Sequence, residues 1–294
     1  MSTPSLPRPE PRPSERGTAG PGARAQIGAV VALKAGELVK SRLAPLPQPL
    51  RRRLAWTMGV DTLRALAAAV EAVCVVSDQP ALAHRLARAG LVDVVVVGEG
   101  RPAGMNGALR LGADHLRGEG VARVLAAVGD LPALRPASVH VVAAAGAAYE
   151  RAYLADATGI GTTMLLAAAD VPLAPHFQGR SAAAHHSSGA VALTDERLGA
   201  TVTDARRDVD TEVDLFDAAG LGLGVDTRGL LDPATGRLGT YAVVTTTGNG
   251  RAVTADGVRV SLPVVRLADG LRAPRPGQRL HAVLVGTEVL SAWL

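Results

Sequence analysis

The chain has 294 residues, 48% of them hydrophobic and 20% charged, which suits one large domain or a domain with a small appendage and excludes wholesale disorder. A single cysteine, Cys74, excludes a disulfide framework and an all-cysteine metal site. The formal charge of +4 is too dilute for a nucleic-acid footprint, and no apolar run reaches the roughly 18 residues of a membrane span.

Residues 1–25 are Pro-rich, lack the apolar stretch of a secretory signal, and read as a disordered tail on a cytoplasmic protein. Ile27 to Leu33 is a short, continuous apolar run, the pattern of a strand buried on both faces. Leu50 to Val70 carries apolar residues at helical spacing, Val73 to Val76 reads as a second strand, and Pro80 to Ala89 as a helix opening on proline. Val92 to Val97 reads as a third strand, Asn106 to Leu116 as a helix and Val121 to Val128 as a fourth strand. Strands separated by helices of this length predict an α/β fold with a mostly parallel, Rossmann-like sheet and helices on both faces. In such sheets ligands gather at the carboxyl ends of the strands.

After about Gly224 the character changes, so the predicted division is 26–224 for the α/β domain and 225–294 for a small all-β unit. Thr240 to Val285 is rich in Val and Thr, with turn signals at Gly248-Asn249-Gly250, Asp256-Gly257 and Arg275-Pro276-Gly277. The spacing resembles a five-stranded barrel of the cold-shock type. With only Tyr241 and Trp293 as aromatics, the unit lacks a stacking platform for single-stranded nucleic acid and is expected to be a structural or interaction appendage.

Chemistry is to be sought in the loops. Only two of the 31 basic residues are lysines, Lys34 and Lys40, both just after the first strand. In a chain where nearly every cation is arginine, that placement suits a polyphosphate bound by compact ammonium groups, although a solvated basic loop is the other reading. Gly104 allows close backbone approach, and Asn106 can cap a helix or read a base edge. Asp130, in Gly129-Asp130-Leu131-Pro132, stands at a strand's carboxyl end where Mg²⁺ could be held, or where it could cap a helix. Asp156 to Thr163 and His176 to His185 offer uncharged donors suited to a small anion. Asp208 and Asp210 fall on the same side by alternation, and Thr211 is a plausible helix cap.

In order, VALKAGELVKSRLAP, GMNGALRLGA, GDLPALRP, DATGIGTTMLL, HFQGRSAAAH and DVDTEVDL resemble the phosphoenolpyruvate/2-phospho-L-lactate guanylyltransferases of coenzyme F420 biosynthesis, relatives of the molybdenum-cofactor nucleotidyltransferases. The resemblance runs from about Val30 to Gly224. It implies a domain that joins GMP from GTP to the phosphate of a three-carbon acid with Mg²⁺ and releases pyrophosphate. On that resemblance Asp130 and Asp210 are metal carboxylates with Asp208 a third, Lys40 meets the GTP phosphates assisted by Lys34, and Gly104 and Asn106 lie near the guanine. Lys40, Asp130 and Asp210 are then the catalytic set, and Thr163, Gln178 and Ser181 hold the acid. Two departures touch the acid pocket: Gln178 stands where the family usually has glycine, and Ile160 where it has threonine.

The implied chemistry needs no Ser-His-Asp triad, because the attacking oxygen is already anionic. Its difficulty is bringing polyanions together, each pair of unit like charges at about 4 Å repelling by roughly 4 kcal/mol at an effective dielectric of 20. The arginine-rich composition, as in many actinobacteria, favours phosphoenolpyruvate as the acid, with 2-phospho-L-lactate the close alternative. Molybdopterin guanylyltransferase fits less well, since a Gly-Gly-x-x-x-Arg fingerprint after the first strand is missing, and a catalytically inactive nucleotide-binding regulator is the reading from another class. The expected partners are GTP and the phosphorylated acid, with neither membrane nor nucleic acid, and a homodimer left open.

Overall fold

The computed structural model describes residues 26–33, 43, 46–100, 104–267, 271 and 274–294. The Pro-rich N-terminal stretch and both lysines, Lys34 and Lys40, lie outside the described residues.

The first half alternates as the apolar pattern predicts: β1 (Ile27–Ala32), α1 (Gln48–Ala67), β2 (Ala72–Ser77), α2 (Leu82–Arg88), β3 (Val95–Gly98), α3 (Gly104–Gly118) and β4 (Arg123–Ala127). Most starts shift by one to three residues from expectation, and two of the later ones have a visible cause. The helix begins at Leu82 because Gln79 to Leu82 first close a turn, and β3 begins at Val95 because Val92 is turned out to solvent. The chain continues through α4 (Pro136–Gly146), β5 (Arg151–Ala155), β6 (Thr162–Ala167), α5 (Ser181–Ser187), β7 (Val191–Ala192), α6 (Asp195–Leu198), α7 (Thr203–Arg206), α8 (Glu212–Leu221) and α9 (Val225–Arg228). The seven strands order as β3-β2-β1-β4-β6-β5-β7, with β6 antiparallel to β4 and β5 and the other pairs parallel.

Alternation along the strands feeds a core on each face. Ala29 and Val31 of β1 face α1 and α4 with Leu63, Leu66 and Val139, whereas Val30 joins Leu109, Ala113 and Leu116 of α3. Helix α3 lies so close over β1 that a Cβ at Gly112 would stand 2.3 Å from a methyl of Val30, so glycine is required there by packing.

The last quarter is the small β unit: β8 (Thr240–Gly248), β9 (Arg251–Thr254), β10 (Arg259–Ser261), β11 (Arg279–Val285) and β12 (Glu288–Trp293) close a barrel in the order β10-β12-β11-β8-β9. Two of the turn signals fall in the β8–β9 and β9–β10 hairpins and the third just before β11, and Asn249 between Gly248 and Gly250 takes a left-handed conformation with φ +53°. A separate apolar cluster joins the barrel to the α/β domain, with Val283, Leu290 and Trp293 packed among Leu50, Leu54, Met58, Leu215 and Ala218. Among the described residues no helix is long and apolar enough to cross a membrane.

Candidate active site

A cleft of ≈ 1490 Å³ opens over the carboxyl ends of β1, β2 and β4. Its base is the turn after β4, where Gly129 and Asp130 line the opening. Thr62 of α1, whose own hydroxyl donates to Met58 O, accepts the N–H of Leu131 at 3.0 Å, and Val209 N–H donates to Asp130 O at 3.1 Å. The second bond draws the Asp208-Val209-Asp210 segment against the turn, so Asp130, Asp208 and Asp210 line the same cleft. Thr211 caps α8 in a capping box with Asp214, which fixes where that segment ends.

The electrostatics report how tightly the acids are gathered. Burial pushes the Asp208 carboxyl up to about 7, aided by the nearby charges of Asp130, Asp210 and Asp156. A buried carboxyl pushed up by three neighbouring carboxylates suits a hard divalent cation, which takes oxygen ligands and relieves their repulsion. Among the described residues no three Asp, Glu, His or Cys side chains are grouped so as to hold a metal ion by themselves.

The uncharged wall lies on the β6 side. Asp156 organises its loop, one oxygen accepting from Thr158 N–H (3.0 Å), Thr158 Oγ1 (2.9 Å) and Ile160 N–H (3.1 Å), the other from Gly161 N–H (2.9 Å). Ala182 N–H donates to Ile160 O at 3.1 Å, which ties this loop to the start of α5. Gln178 and Ser181 both line the cleft, with Gln178 at φ +89°, a conformation that favours glycine. Thr162 also lines it. Thr163 is fully buried, the extra residue of a bulge between β6 and β5, and its Oγ1 has no hydrogen-bond partner among the described residues.

Beneath this wall His185 is fully buried. His176 N–H donates to its Nε2 at 2.9 Å, so Nδ1 carries the proton and donates to Thr162 Oγ1, also at 2.9 Å. Burial, with the neighbouring charges of His176 and Arg151, pulls the imidazole down to about 4.

Asn106 has a job its sequence position did not announce. Its Oδ1 accepts Phe177 N–H at 2.8 Å and its Nδ2 donates to Phe177 O at 3.1 Å, so both ends of the amide clamp the loop that carries Gln178. Gly104 opens α3 at φ +72°, and Met105 beside it is the residue of that turn that lines the cleft.

Sequence reasoning missed the arginine and tryptophan side chains. Both tryptophans of the chain line the cleft, and each lies under an arginine: Arg85 is 3.9 Å from the ring centroid of Trp56, and Arg53 is 5.7 Å from that of Trp293. In a chain only 2% aromatic, the scarcity of tryptophan was the available signal. Arg207 also lines the cleft but is paired to Asp214 and Asp217, each at 3.3 Å.

No family model matches the chain. The phosphoenolpyruvate guanylyltransferase of Salinispora arenicola (strain CNS-205) is 42% identical over 216 residues, covering 71% of this chain and 96% of the relative. The chain belongs to the phosphoenolpyruvate guanylyltransferase family. A second member, from Streptomyces coelicolor, is 43% identical over 199 residues, covering 66% of this chain and 91% of its own. Among solved structures, Rv0371c of Mycobacterium tuberculosis H37Rv has a TM-score of 0.43 at 21% identity, over 67% of this chain and 98% of that one. A further structure of that protein is a complex with manganese. As a guanylyltransferase family member the chain is a nucleotidyltransferase, with the α/β sheet and small β unit expected from its sequence.

Proposed function

We propose that the protein transfers GMP from GTP to phosphoenolpyruvate, giving enolpyruvoyl-2-diphospho-5'-guanosine and pyrophosphate for coenzyme F420 biosynthesis in the cytoplasm. The observation that carries the reading is the gathering of Asp130, Asp208 and Asp210 beside a separate uncharged loop wall in a cleft large enough for two substrates. Asp130 and Asp210, with Asp208, are the residues to hold Mg²⁺. When bound there, the cation neutralises phosphate oxygens that otherwise repel one another.

The loop wall takes the small acid: the Ser181 hydroxyl and the backbone N–H of Gln178 are its donors, whereas Thr163, expected from the sequence to share this role, is buried outside the cleft lining. A phosphate oxygen of the acid forms the new bond to the α-phosphorus of GTP. The bond from that phosphorus to the bridging oxygen breaks, and its electron pair departs with pyrophosphate. No side chain has to remove a proton, so the protein's contribution is alignment and charge, which are the main terms in phosphoryl transfer. The resemblance assigns Lys40, assisted by Lys34, to the nucleotide phosphates, and Gly104 to the nucleotide. Asn106 serves the acid loop by holding Phe177.

The test is incubation of the full chain with GTP, Mg²⁺ and either phosphoenolpyruvate or 2-phospho-L-lactate, with pyrophosphate and product mass read together. Product from phosphoenolpyruvate is expected. Product from 2-phospho-L-lactate alone overturns the choice of acid, and no pyrophosphate with either acid overturns the reading.

A further inference from the structure

We propose that Arg85, laid on Trp56 at the β2 end of the cleft, is the specificity-determining residue for the nucleotide and reads the O6 and N7 edge of guanine. This rests on the guanylyl-transfer reading and supplies the residue that tells GTP from ATP. Asn106, the amide expected near the base, has both ends of its side chain committed to Phe177, at 2.8 and 3.1 Å. The base is therefore read by another group.

The sheet order says where to look for it. The acid loop belongs to β6, and Asp130 follows β4. A nucleotide whose α-phosphorus lies over Asp130 extends away from the acid, toward β1 and β2. Strand β2 stands two places from β4 in the sheet, about 10 Å at the usual strand spacing, which a nucleoside attached at that phosphorus can cover. The lining changes character there. Trp56 of α1, Leu82 of α2 and Met105 of α3 present apolar surface, with Gln79 and Arg85 as the polar groups among them. Apolar walls with a few placed polar groups suit a planar base better than a phosphate.

The pair is built to hold a fork. Trp56 packs against the core under α1 and α2, and the guanidinium carbon of Arg85 lies over its ring, 3.9 Å from the centroid. An aromatic face holds a guanidinium in place without neutralising it. Arg85 also donates to Gln79 Oε1 at 3.3 Å. Arginine only donates, so Gln79 must turn its oxygen to Arg85, and its NH₂ stays a donor. The guanidinium has several N–H groups, and one bond to Gln79 leaves a pair of them for a ligand. Guanine offers two acceptors side by side, O6 and N7, which an arginine meets bidentately. Adenine sets an amino group beside its N7, which would put a donor against a donor.

Calorimetric titration of the full-length protein, with Mg²⁺ throughout, compares GTP with ITP, 7-deaza-GTP and ATP. ITP keeps O6 and N7 but lacks the 2-amino group, and 7-deaza-GTP lacks N7. The wild type should bind ITP as tightly as GTP, and 7-deaza-GTP and ATP about tenfold more weakly. Arg85→Lys keeps the charge and loses the fork. It should weaken GTP and ITP about tenfold and leave ATP and pyrophosphate unchanged. A wild type that binds 7-deaza-GTP as tightly as GTP overturns the proposal. So does an Arg85→Lys protein that keeps its preference for GTP over ATP. Arg85→Gln weakening ATP and pyrophosphate as much as GTP would also overturn it, since that marks a phosphate contact. Product formation by the wild type separates the two readings. Product formed while Arg85→Lys keeps the full preference removes the role of Arg85 alone. A GTP preference that depends on Arg85, with no product from either acid, removes the reaction alone.

Discussion

His185 should make the acid wall sensitive to pH. The unfolded chain carries an ordinary histidine near 6.5, whereas the folded protein holds this one near 4, because burial and the charges of His176 and Arg151 oppose its protonation. Above 6.5 the ring is neutral in both states and costs nothing. Below it the unfolded chain takes up a proton that the folded one refuses, so stability falls with pH until about 4. Integrated by linkage, the loss is about 2.5 kcal/mol by about pH 4.5. The wild-type profile alone will hide it. Asp61 is buried in α1 and pushed up to about 6, so it contributes stability fully present below 3.8 and lost as pH rises through 6, a term of about 3 kcal/mol with the opposite sign. The assay is therefore a comparison: urea unfolding of the wild type and His185→Gln at a series of pH values, where the shared Asp61 contribution cancels. His185→Gln should be less stable near pH 8, having lost its bonds to Thr162 and the His176 peptide, and the gap should close by about 2.5 kcal/mol on acidification. Parallel profiles for the two proteins would show that His185 is not held neutral, and the argument for its proton arrangement would fail.

Asn106→Ala removes two half-buried hydrogen bonds to Phe177 and should cost about 1–3 kcal/mol by thermal unfolding, while raising KM for the acid more than for GTP. Equal effects on both substrates would place Asn106 at the nucleotide instead. Gln178→Gly, which in most loops destabilises, should here be neutral or stabilising by up to about 1 kcal/mol, because φ is +89° and the strain released offsets the entropy gained by the unfolded chain. A clear drop in melting temperature would mean that the Gln178 side chain has work of its own. Asp130→Asn should abolish pyrophosphate release in a protein that melts as the wild type does, and normal turnover would remove Asp130 from the metal site.

The parts of this architecture that could be read in the sequence are those set by local rules. Continuous apolar runs gave the parallel strands, because a strand covered on both faces has no polar side to show. Gly248-Asn249-Gly250 gave the β8–β9 hairpin, because few residues accept consecutive positive φ angles. That Asp130, Asp208 and Asp210 would line one cleft was legible because strand ends and helix caps fix where carboxylates project. Asn106 was obscured for the opposite reason. An asparagine near a helix start suggests a local cap, and its actual partner is a peptide 71 residues away that only the tertiary fold supplies. The bulge that makes Thr163 an extra residue on β6 likewise depends on the pairing partner and leaves no periodic mark. Least visible was the barrel's share of the cleft, since nothing in the alternation of β11 and β12 says which domain their outer residues will meet.

That share follows from how the chain travels between the two units. The turn carrying Asp130 is held from three directions: by Thr62 of α1, by Val209, and by Gly224, whose N–H donates to Pro132 O at 2.8 Å. Gly224 is also where the chain leaves α8 for the barrel, and it presses on α1 so closely that a Cβ there would stand 2.3 Å from the Asp61 carboxyl carbon. Asp61 in turn accepts the N–H groups of Asp226 (3.1 Å) and Thr227 (2.8 Å), supplying the start of α9 with the acceptors it lacks. The strut that carries the chain to the barrel thus bears on the turn that positions Asp130. A displacement of the barrel is resisted at Asp61 and Gly224, and what escapes that resistance is felt at Pro132, two residues from the carboxylate. Attachment through this junction gives the barrel a fixed height above the cleft, which a tether of flexible residues would not provide.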